Sequence, residues 1–324
     1  LYAIKTDTGQ LLWRHRGGPD QQMVLGNGRI ISKWPARGGP VVADNTVYYA
    51  AGIWPSDGVL IYALDADSGE VSWVNDTAGG RYMPQPHSTA EAKSGVSAQG
   101  YLVVAGDHLL VPTGRAVPAS FDRRTGRFEY FHLQKYGHYG SAAAMATGGL
   151  FLNSGNAFRI DTGDREASVG AGELATTETE LVRATEGKLE AYAWEKKERP
   201  DRKGRPQDVM TLRALWSIDG VPEATALIVA GNRVIVGGQD SVVAVDRDQR
   251  RIVWSTDVDG QVYGLAAADG LLLVSTDSGS VYCFAAADDK LSKSATSSEP
   301  AGVSGTEDRD FAEVAEQILR RSGT

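Results

Sequence analysis

Apolar and polar positions follow one recurring shape along most of the chain. Runs rich in Val, Leu, Ile and Tyr flank short polar dipeptides in GPVVADNTVYYAAG (39–52), GYLVVAGDHLLVPTG (100–114), AMATGGLFLNSG (144–155), ALIVAGNRVIVGGQDS (226–241) and GLAAADGLLLVSTDSGS (264–280). β-Branched and aromatic runs favour strands. The dipeptides Asp44-Asn45, Gly106-Asp107, Gly148-Gly149, Gly231-Asn232 and Asp269-Gly270 tolerate the positive φ that tight hairpins need. Each segment therefore predicts strand, tight turn, strand.

A second element follows these hairpins. IKTDTGQLLW (4–13) aligns with LDADSGEVSW (64–73), placing Asp7 on Asp67, Gly9 on Gly69 and Trp13 on Trp73. It returns as FDRRTGRFEY (121–130), with Asp122, Gly126 and Tyr130, and as VDRDQRRIVW (245–254), with Asp246 and Trp254. RIDTGD (159–164) is a weaker copy. Short polar side chains in the turn can bond nearby amides while glycine takes the left-handed position. The turn then delivers a closing strand whose aromatic, Trp13, Trp73, Tyr130, Trp216 or Trp254, locks one sheet against the next.

Internal repetition of this kind marks a radial or solenoid architecture. The expected fold is all-β: a β-propeller of four-stranded antiparallel blades, with up to seven units at 1–16, 39–76, 98–132, 140–164, 174–219, 224–257 and 262–290. The first is partial. Because the chain opens inside a repeat without Met, residues and blades are expected upstream of it. Residues 291–309, rich in Ser, Thr, Gly and Pro, predict a flexible linker. In 310–324, Phe311, Val314, Ala315, Ile318 and Leu319 fall at helical spacing behind a capping Asp310, a short helix expected to open a further domain, with docking on the propeller as the alternative.

Charge narrows the partners. With 33 basic and 41 acidic residues the net charge is −8, which disfavours nucleic acid. The basic run Lys196, Lys197, Arg199, Arg202, Lys203 and Arg205, broken by Glu198, Asp201 and turn-forming Pro200, Gly204 and Pro206, reads as a solvated loop insertion. The single cysteine, Cys283, excludes an internal disulfide and a cysteine-based zinc cluster, and in VYCFAAA it reads as a small buried hydrophobe. No stretch reaches the length of an apolar membrane span, and the start lacks a signal-peptide pattern.

The Asp-x-(Thr/Ser)-Gly-x-x-x-Trp turn resembles the repeat of the pyrroloquinoline-quinone-type propellers over about residues 1–290. That superfamily spans quinoprotein alcohol dehydrogenases, an outer-membrane assembly lipoprotein and many secreted proteins. The stretch SAQGYLVVAGDHLLVPTGRAVPASFDRRTGRFEYFH resembles more narrowly large planctomycete-type bacterial proteins in which a propeller precedes a methyltransferase-like domain. The resemblance implies an exported, periplasmic or envelope location, with the cytoplasm as the alternative. Quinone enzymes of the superfamily hold their cofactor with a ring of tryptophans, a calcium ion and adjacent cysteines. This chain has no Cys-Cys pair, and acidic residues such as Asp65, Asp67, Asp246 and Asp248 read as turn caps, so neither quinone nor calcium is expected.

No zinc-binding spacing, Gly-x-Ser-x-Gly elbow or phosphate loop is present, and Gly170–Gly172 reads as a connector. No catalytic or metal-binding residue is assigned; His132, His138, Tyr136 and Tyr139 form a polar-aromatic loop, with His87 in an earlier one. Loops of neighbouring blades converge at the channel ends, which makes Arg81, Tyr82, His87, Arg115, His132 and Tyr136 the candidates for a ligand face. Trp34 and Trp54, each followed by proline, are candidate surface anchors. The expected function is a non-catalytic module presenting loops to a protein, glycan or small ligand. The alternatives are a divergent quinone-dependent oxidoreductase, or the sensing half of a larger polypeptide with a covalently linked methyltransferase-like domain.

Overall fold

The computed structural model describes residues 1–5, 8–26, 28–85, 89–133, 139–200 and 203–285. Asp7, His87, Tyr136, His138, Arg202, the 291–309 linker and the 310–324 helix lie outside these residues.

Seven strand units follow one another among the described residues. Unit 1 is the pair Tyr2–Ile4 and Leu11–Arg14. Unit 2 is the sheet Ala36–Ala43, Thr46–Ala51, Leu60–Asp65 and Val71–Asn75. Units 3 and 4 run from Val103–Ala105 to Phe128–Tyr130 and from Ala144–Thr147 to Arg165–Ser168, each four strands in sequence order. Unit 5 holds Glu173–Thr176, Glu180–Thr185, Lys188–Pro200 and Pro206–Asp219.

The last two units share a strand. Arg251–Ala268 pairs through its first part with Arg233–Asp246 of unit 6 and through its second part with Leu271–Thr276 of unit 7, which Val281–Ala285 then extends. Separate hairpins, Met23–Gly26 with Arg29–Ser32 and Arg81–Pro84 with Glu91–Ser94, are inserted before units 2 and 3.

The first strands of successive units, from unit 2 to unit 7, lie side by side. Between units 2 and 3 the contact is a parallel bridge, Gly39 with Tyr101, in which the Leu102 amide donates to the Gly39 carbonyl at 3.0 Å. Sheets arranged with their first strands together form a propeller, each face of a sheet covered by its neighbour. Burial along Thr46–Ala51 follows from this. Val47, Tyr49 and Ala51 pack toward Trp13 of unit 1, whereas Tyr48 and Ala50 pack toward Leu109 and Phe121 of unit 3. A strand covered on both faces reads as a continuous apolar run.

The closing turns carry the seams. The Trp13 indole N–H donates to the Ala66 carbonyl at 2.9 Å, Trp73 to Arg123 at 3.0 Å, and the Tyr130 hydroxyl to Ile160 at 2.7 Å. Each acceptor stands three residues before the turn glycine of the next unit. Its own amide donates back to the unit's first tight turn: Ala66 to Asn45, Arg123 to Asp107, and Ile160 to Gly149. One peptide group per blade thus joins two turns and the preceding blade. Gly69 (φ +73°) and Gly126 (φ +71°) lie against the Trp13 and Trp73 rings, where an added Cβ would stand 2.6 and 2.3 Å from ring carbons. In unit 6 Arg250 takes the same left-handed slot with φ 52°.

The carboxylate that caps the turn amides in unit 2 is Asp65, four residues before the glycine; Asp67 instead accepts from the Asn45 side chain at 3.0 Å. Asp122 and Asp246 hold the capping position in their turns. The basic run is a loop only in part: Lys203 and Arg205 lie in the turn, but residues 196–200, exposed as expected, pair with 206–210 in the long hairpin of unit 5, whose Trp194, Met210 and Leu212 pack over Leu150 and Leu152 of unit 4. Cys283 is exposed, on the face of Val281–Ala285 opposite Tyr282 and Phe284, which pack inward with Trp254. Unit 4 extends to Ser168, past the expected 164. The place of the closing aromatic there holds Ala167, so the sequence signal ended early.

A polar clamp ties unit 4 to unit 5. Arg183 donates to Glu190 at 2.7 Å, to the Tyr192 hydroxyl at 2.6 Å and to the Val169 carbonyl at 2.9 Å. The Arg183 guanidinium holds the Glu190 carboxyl down to about 2 from an ordinary 4.5. A carboxylate with a depressed folded pKa stabilises the fold above its unfolded pKa and loses that contribution as pH falls through the folded value. Stability is therefore expected to decline between about pH 4.5 and 2. Urea titrations across that window should give a shallower decline for Glu190→Gln; an unchanged slope would assign the acid sensitivity elsewhere.

Candidate functional site: the loop end of the propeller

Antiparallel order within the blades sorts the connections to two ends. The turns after first and third strands gather at one end; the connections after second and fourth strands gather at the other, and in units 2 and 3 these are the longer ones. This second end carries the 52–59 loop, the hairpin Arg81–Pro84/Glu91–Ser94 and the 112–118 loop.

The loops are tied together by backbone-directed bonds. Trp34, 7 % exposed, donates from its indole to the Asp57 carbonyl at 3.1 Å, holding the short 3₁₀ turn Pro55–Asp57. Ser97 donates to the Ile53 carbonyl at 2.7 Å, and Arg37 to the Ala98 carbonyl at 3.1 Å. The Arg81 guanidinium lies 4.2 Å from the Phe128 ring centroid, a cation–π contact that ties the hairpin to unit 3. The Thr113 hydroxyl donates to the Ala116 carbonyl at 2.9 Å and fixes the loop bearing Arg115.

A cleft of about 250 Å³ lies between the hairpin and that loop. Phe131, Leu133 and Ala116 supply apolar surface, Ser94 and Gln85 polar groups, and Arg115 its charge.

The six ligand-face candidates separate accordingly. Arg115 lines the cleft. Arg81 is spent on Phe128, and Tyr82 stands 67 % exposed on the hairpin beside Lys93. His132 points away: its Nε2 is 2.7 Å from the Thr162 carbonyl and its ring stacks on Tyr130, at the seam with unit 4. Extended backbone sends alternate residues to opposite sides, so Phe131 and Leu133 reach the cleft and His132 does not. His87 and Tyr136 lie outside the described residues. The two Trp-Pro anchors differ as well. Trp34 is buried under the 52–59 loop, whereas Trp54 is 63 % exposed. Tyr101, 73 % exposed at the same end, carried no sequence signal.

Two polar clusters also escaped sequence reasoning. In unit 3 the Ser120 hydroxyl donates to Glu129 Oε2 at 2.8 Å, and His108 Nδ1 lies 2.6 Å from the same oxygen. Ser120 Oγ also lies 3.3 Å from His108 Nδ1, but that one ring nitrogen faces both the serine and the carboxylate and Ser120 is fully buried, so the arrangement ties three strands and does not pass a proton through the ring as an activated nucleophile's base does. Between units 1 and 2, His15 Nδ1 bonds the Tyr49 hydroxyl, and the Tyr62 hydroxyl donates to the Gly17 carbonyl at 3.0 Å. Burial raises the Tyr49 and Tyr62 hydroxyls above their ordinary pKa and lowers His15. Neither cluster follows a spacing motif, because its members come from different strands.

Radial four-stranded sheets, aromatic seams and a loop-end cleft define a β-propeller of the pyrroloquinoline-quinone repeat type. The chain belongs to the family of the outer membrane protein assembly factor BamB, whose family model matches residues 1–198 and 213–295. No curated protein matches it. Among solved structures it is similar to the computationally designed Ika8 protein, at 16 % identity over 88 % of this chain and 90 % of that one, with a TM-score of 0.50. It is also similar to BamB from Moraxella catarrhalis, at 15 % identity over 87 % and 88 % of the two chains, with a TM-score of 0.47. The quinohemoprotein alcohol dehydrogenase ADHIIG from Pseudomonas putida HK5 is 13 % identical over 84 % of this chain and 58 % of that one, with a TM-score of 0.47. Among the described residues, no helix is long and apolar enough to cross a membrane.

Proposed function

We propose that this chain is a non-catalytic binding module whose loop end docks a protein partner. The observation that carries the reading is the set of solvent-facing aromatics there, Trp54, Tyr82 and Tyr101, beside a cleft with an arginine. Large aromatics with an apolar body and a polar tip anchor protein interfaces. The family description, an outer membrane protein assembly factor, supports a protein partner and a periplasmic or envelope location.

The module is proposed to work without pyrroloquinoline quinone or calcium. Trp13 and Trp73 spend their indole N–H groups at blade seams, and Asp65, Asp122 and Asp246 spend their carboxylates on turn amides. Among the described residues, no three His, Cys, Asp or Glu side chains gather where a metal ion could be held. That donor set does not fit the quinone and its calcium.

The test is cross-linking of the protein in envelope extracts, compared with the Trp54→Ala/Tyr82→Ala/Tyr101→Ala variant and with Arg124→Ala at the tight-turn end. Captured protein should fall roughly tenfold for the loop-end variant, as loss of interface anchors implies, and stay unchanged for Arg124→Ala. Equal capture by all three overturns the reading. In parallel, titration with pyrroloquinoline quinone plus calcium should give no saturable heat; saturable binding with quinone absorbance would make the chain an oxidoreductase.

A further inference from the structure

We infer that the cleft between the Arg81–Pro84/Glu91–Ser94 hairpin and the 112–118 loop binds a carboxylate with a compact apolar body, Arg115 taking the carboxylate. The inference deepens the binding-module reading and rests on it.

Among the described residues, Arg115 makes no ion pair and no acidic side chain lines the cleft, so none of them compensates its charge. The larger cleft, about 360 Å³ at the seam of units 5 and 6, shows the contrast. There the carboxylates of Glu180 and Asp248 line the same walls as Arg247 and Arg250, with Arg247 paired to Glu180 and Asp248 accepting from Asn232, so that cleft carries both signs of charge. An arginine with free donors presents a planar fork that matches a carboxylate in two parallel bonds.

Shape and polarity set the rest of the ligand. Phe131 and Leu133 are 8 % exposed and Ala116 1 %, which makes the floor apolar and well packed. The hydroxyls of Ser97 and Thr113 donate to the Ile53 and Ala116 carbonyls, whereas Ser94 stands in the wall as a donor for a second carboxylate oxygen. A cavity of roughly 150 Å³ accepts benzene. The 250 Å³ here suits an aryl or branched-alkyl group together with its carboxylate.

The loop bearing Arg115 is rigid on its buried side. Thr113 holds Ala116, the Gln99 amide donates to the Pro112 carbonyl at 2.8 Å, and Gly140 packs directly on the Arg115–Ala116 peptide. A preorganised charge loses less entropy on binding than one on a free loop.

Calorimetry of the full chain with 3-phenylpropionate tests the inference, with 3-phenylpropionamide as the uncharged control. The acid is expected to bind saturably and the amide roughly tenfold more weakly or worse, the range for losing hydrogen bonds to a charged group. Arg115→Met should weaken the acid by a similar factor, and Arg115→Lys by less. Ala90→Trp, which fills the cleft from the hairpin and leaves Arg115 in place, should also abolish binding; a non-specific surface attraction to arginine would survive it. A short peptide ending in a free-acid phenylalanine separates the sources. If it binds as the small acid does, the ligand is a chain terminus; if only the small acid binds, the ligand is a free carboxylate. Absence of saturable binding by either, or equal binding of acid and amide, overturns the inference. If that happens while Trp54, Tyr82 and Tyr101 still govern partner capture, the module reading stands and only the carboxylate assignment falls.

Discussion

Trp73→Ala is expected to lower the unfolding free energy by about 3 kcal/mol, the lower end for removing a large aromatic from a packed site. Trp73 sits at the seam of units 2 and 3, in the cluster that contains Ala63, Leu109 and Phe121. Its ring lies against Gly126 and 6.0 Å from the Tyr48 ring, and its indole N–H satisfies the Arg123 carbonyl. Truncation opens a cavity and leaves that carbonyl without its donor. Trp73→Phe keeps most of the packing and loses the hydrogen bond, so about 1 kcal/mol is expected for it. Urea unfolding followed by far-ultraviolet circular dichroism reads both changes without depending on tryptophan emission. A loss below 1 kcal/mol for Trp73→Ala would mean that the closing aromatics do not couple the blades.

Gly140→Ala should damage the site and the fold together. A Cβ at residue 140 would stand 2.1 Å from the Arg115 carbonyl carbon and 2.3 Å from the Ala116 nitrogen. Both are backbone atoms, so no side chain can swing aside. The strain is relieved by the two backbone segments moving apart, the 112–118 loop among them, at a cost of about 2–3 kcal/mol for overpacking. Arg115 moves with that loop. The variant is therefore expected to melt lower and to bind 3-phenylpropionate roughly tenfold more weakly, since misplacing a charged hydrogen-bonding group forfeits its bonds. Wild-type melting and affinity together would show that the loop end is looser than its packing implies.

Trp73, Gly69 and Gly126 were readable because a turn, its glycine and the aromatic four residues later are local in sequence, and their repetition exposes the register. The same regularity put Asp67 in the acidic position of the repeat and read both Asp65 and Asp67 as caps; both lie within reach of the turn, and only the backbone path gives the amides to Asp65. The candidate face was legible in part. Arg115 and the hairpin carrying Arg81 and Tyr82 fall at one end, as converging loops require, but Arg81 is engaged by an aromatic ring from another strand.

Strand period, tight-turn chemistry and the recurring aromatic were sufficient to determine a propeller of this repeat type, because each depends on residues within about ten positions of one another. Tertiary structure alone decided which side chains are spent and which are free. Trp34 and Trp54 share the same Trp-Pro dipeptide, yet the 52–59 loop folds over one and leaves the other in solvent. Cys283 sits in an apolar run and still faces outward, because burial depends on which sheet covers a strand's face. The cleft is the clearest case: Ser94, Arg115 and Leu133 come from three connections, and no local pattern records that they meet.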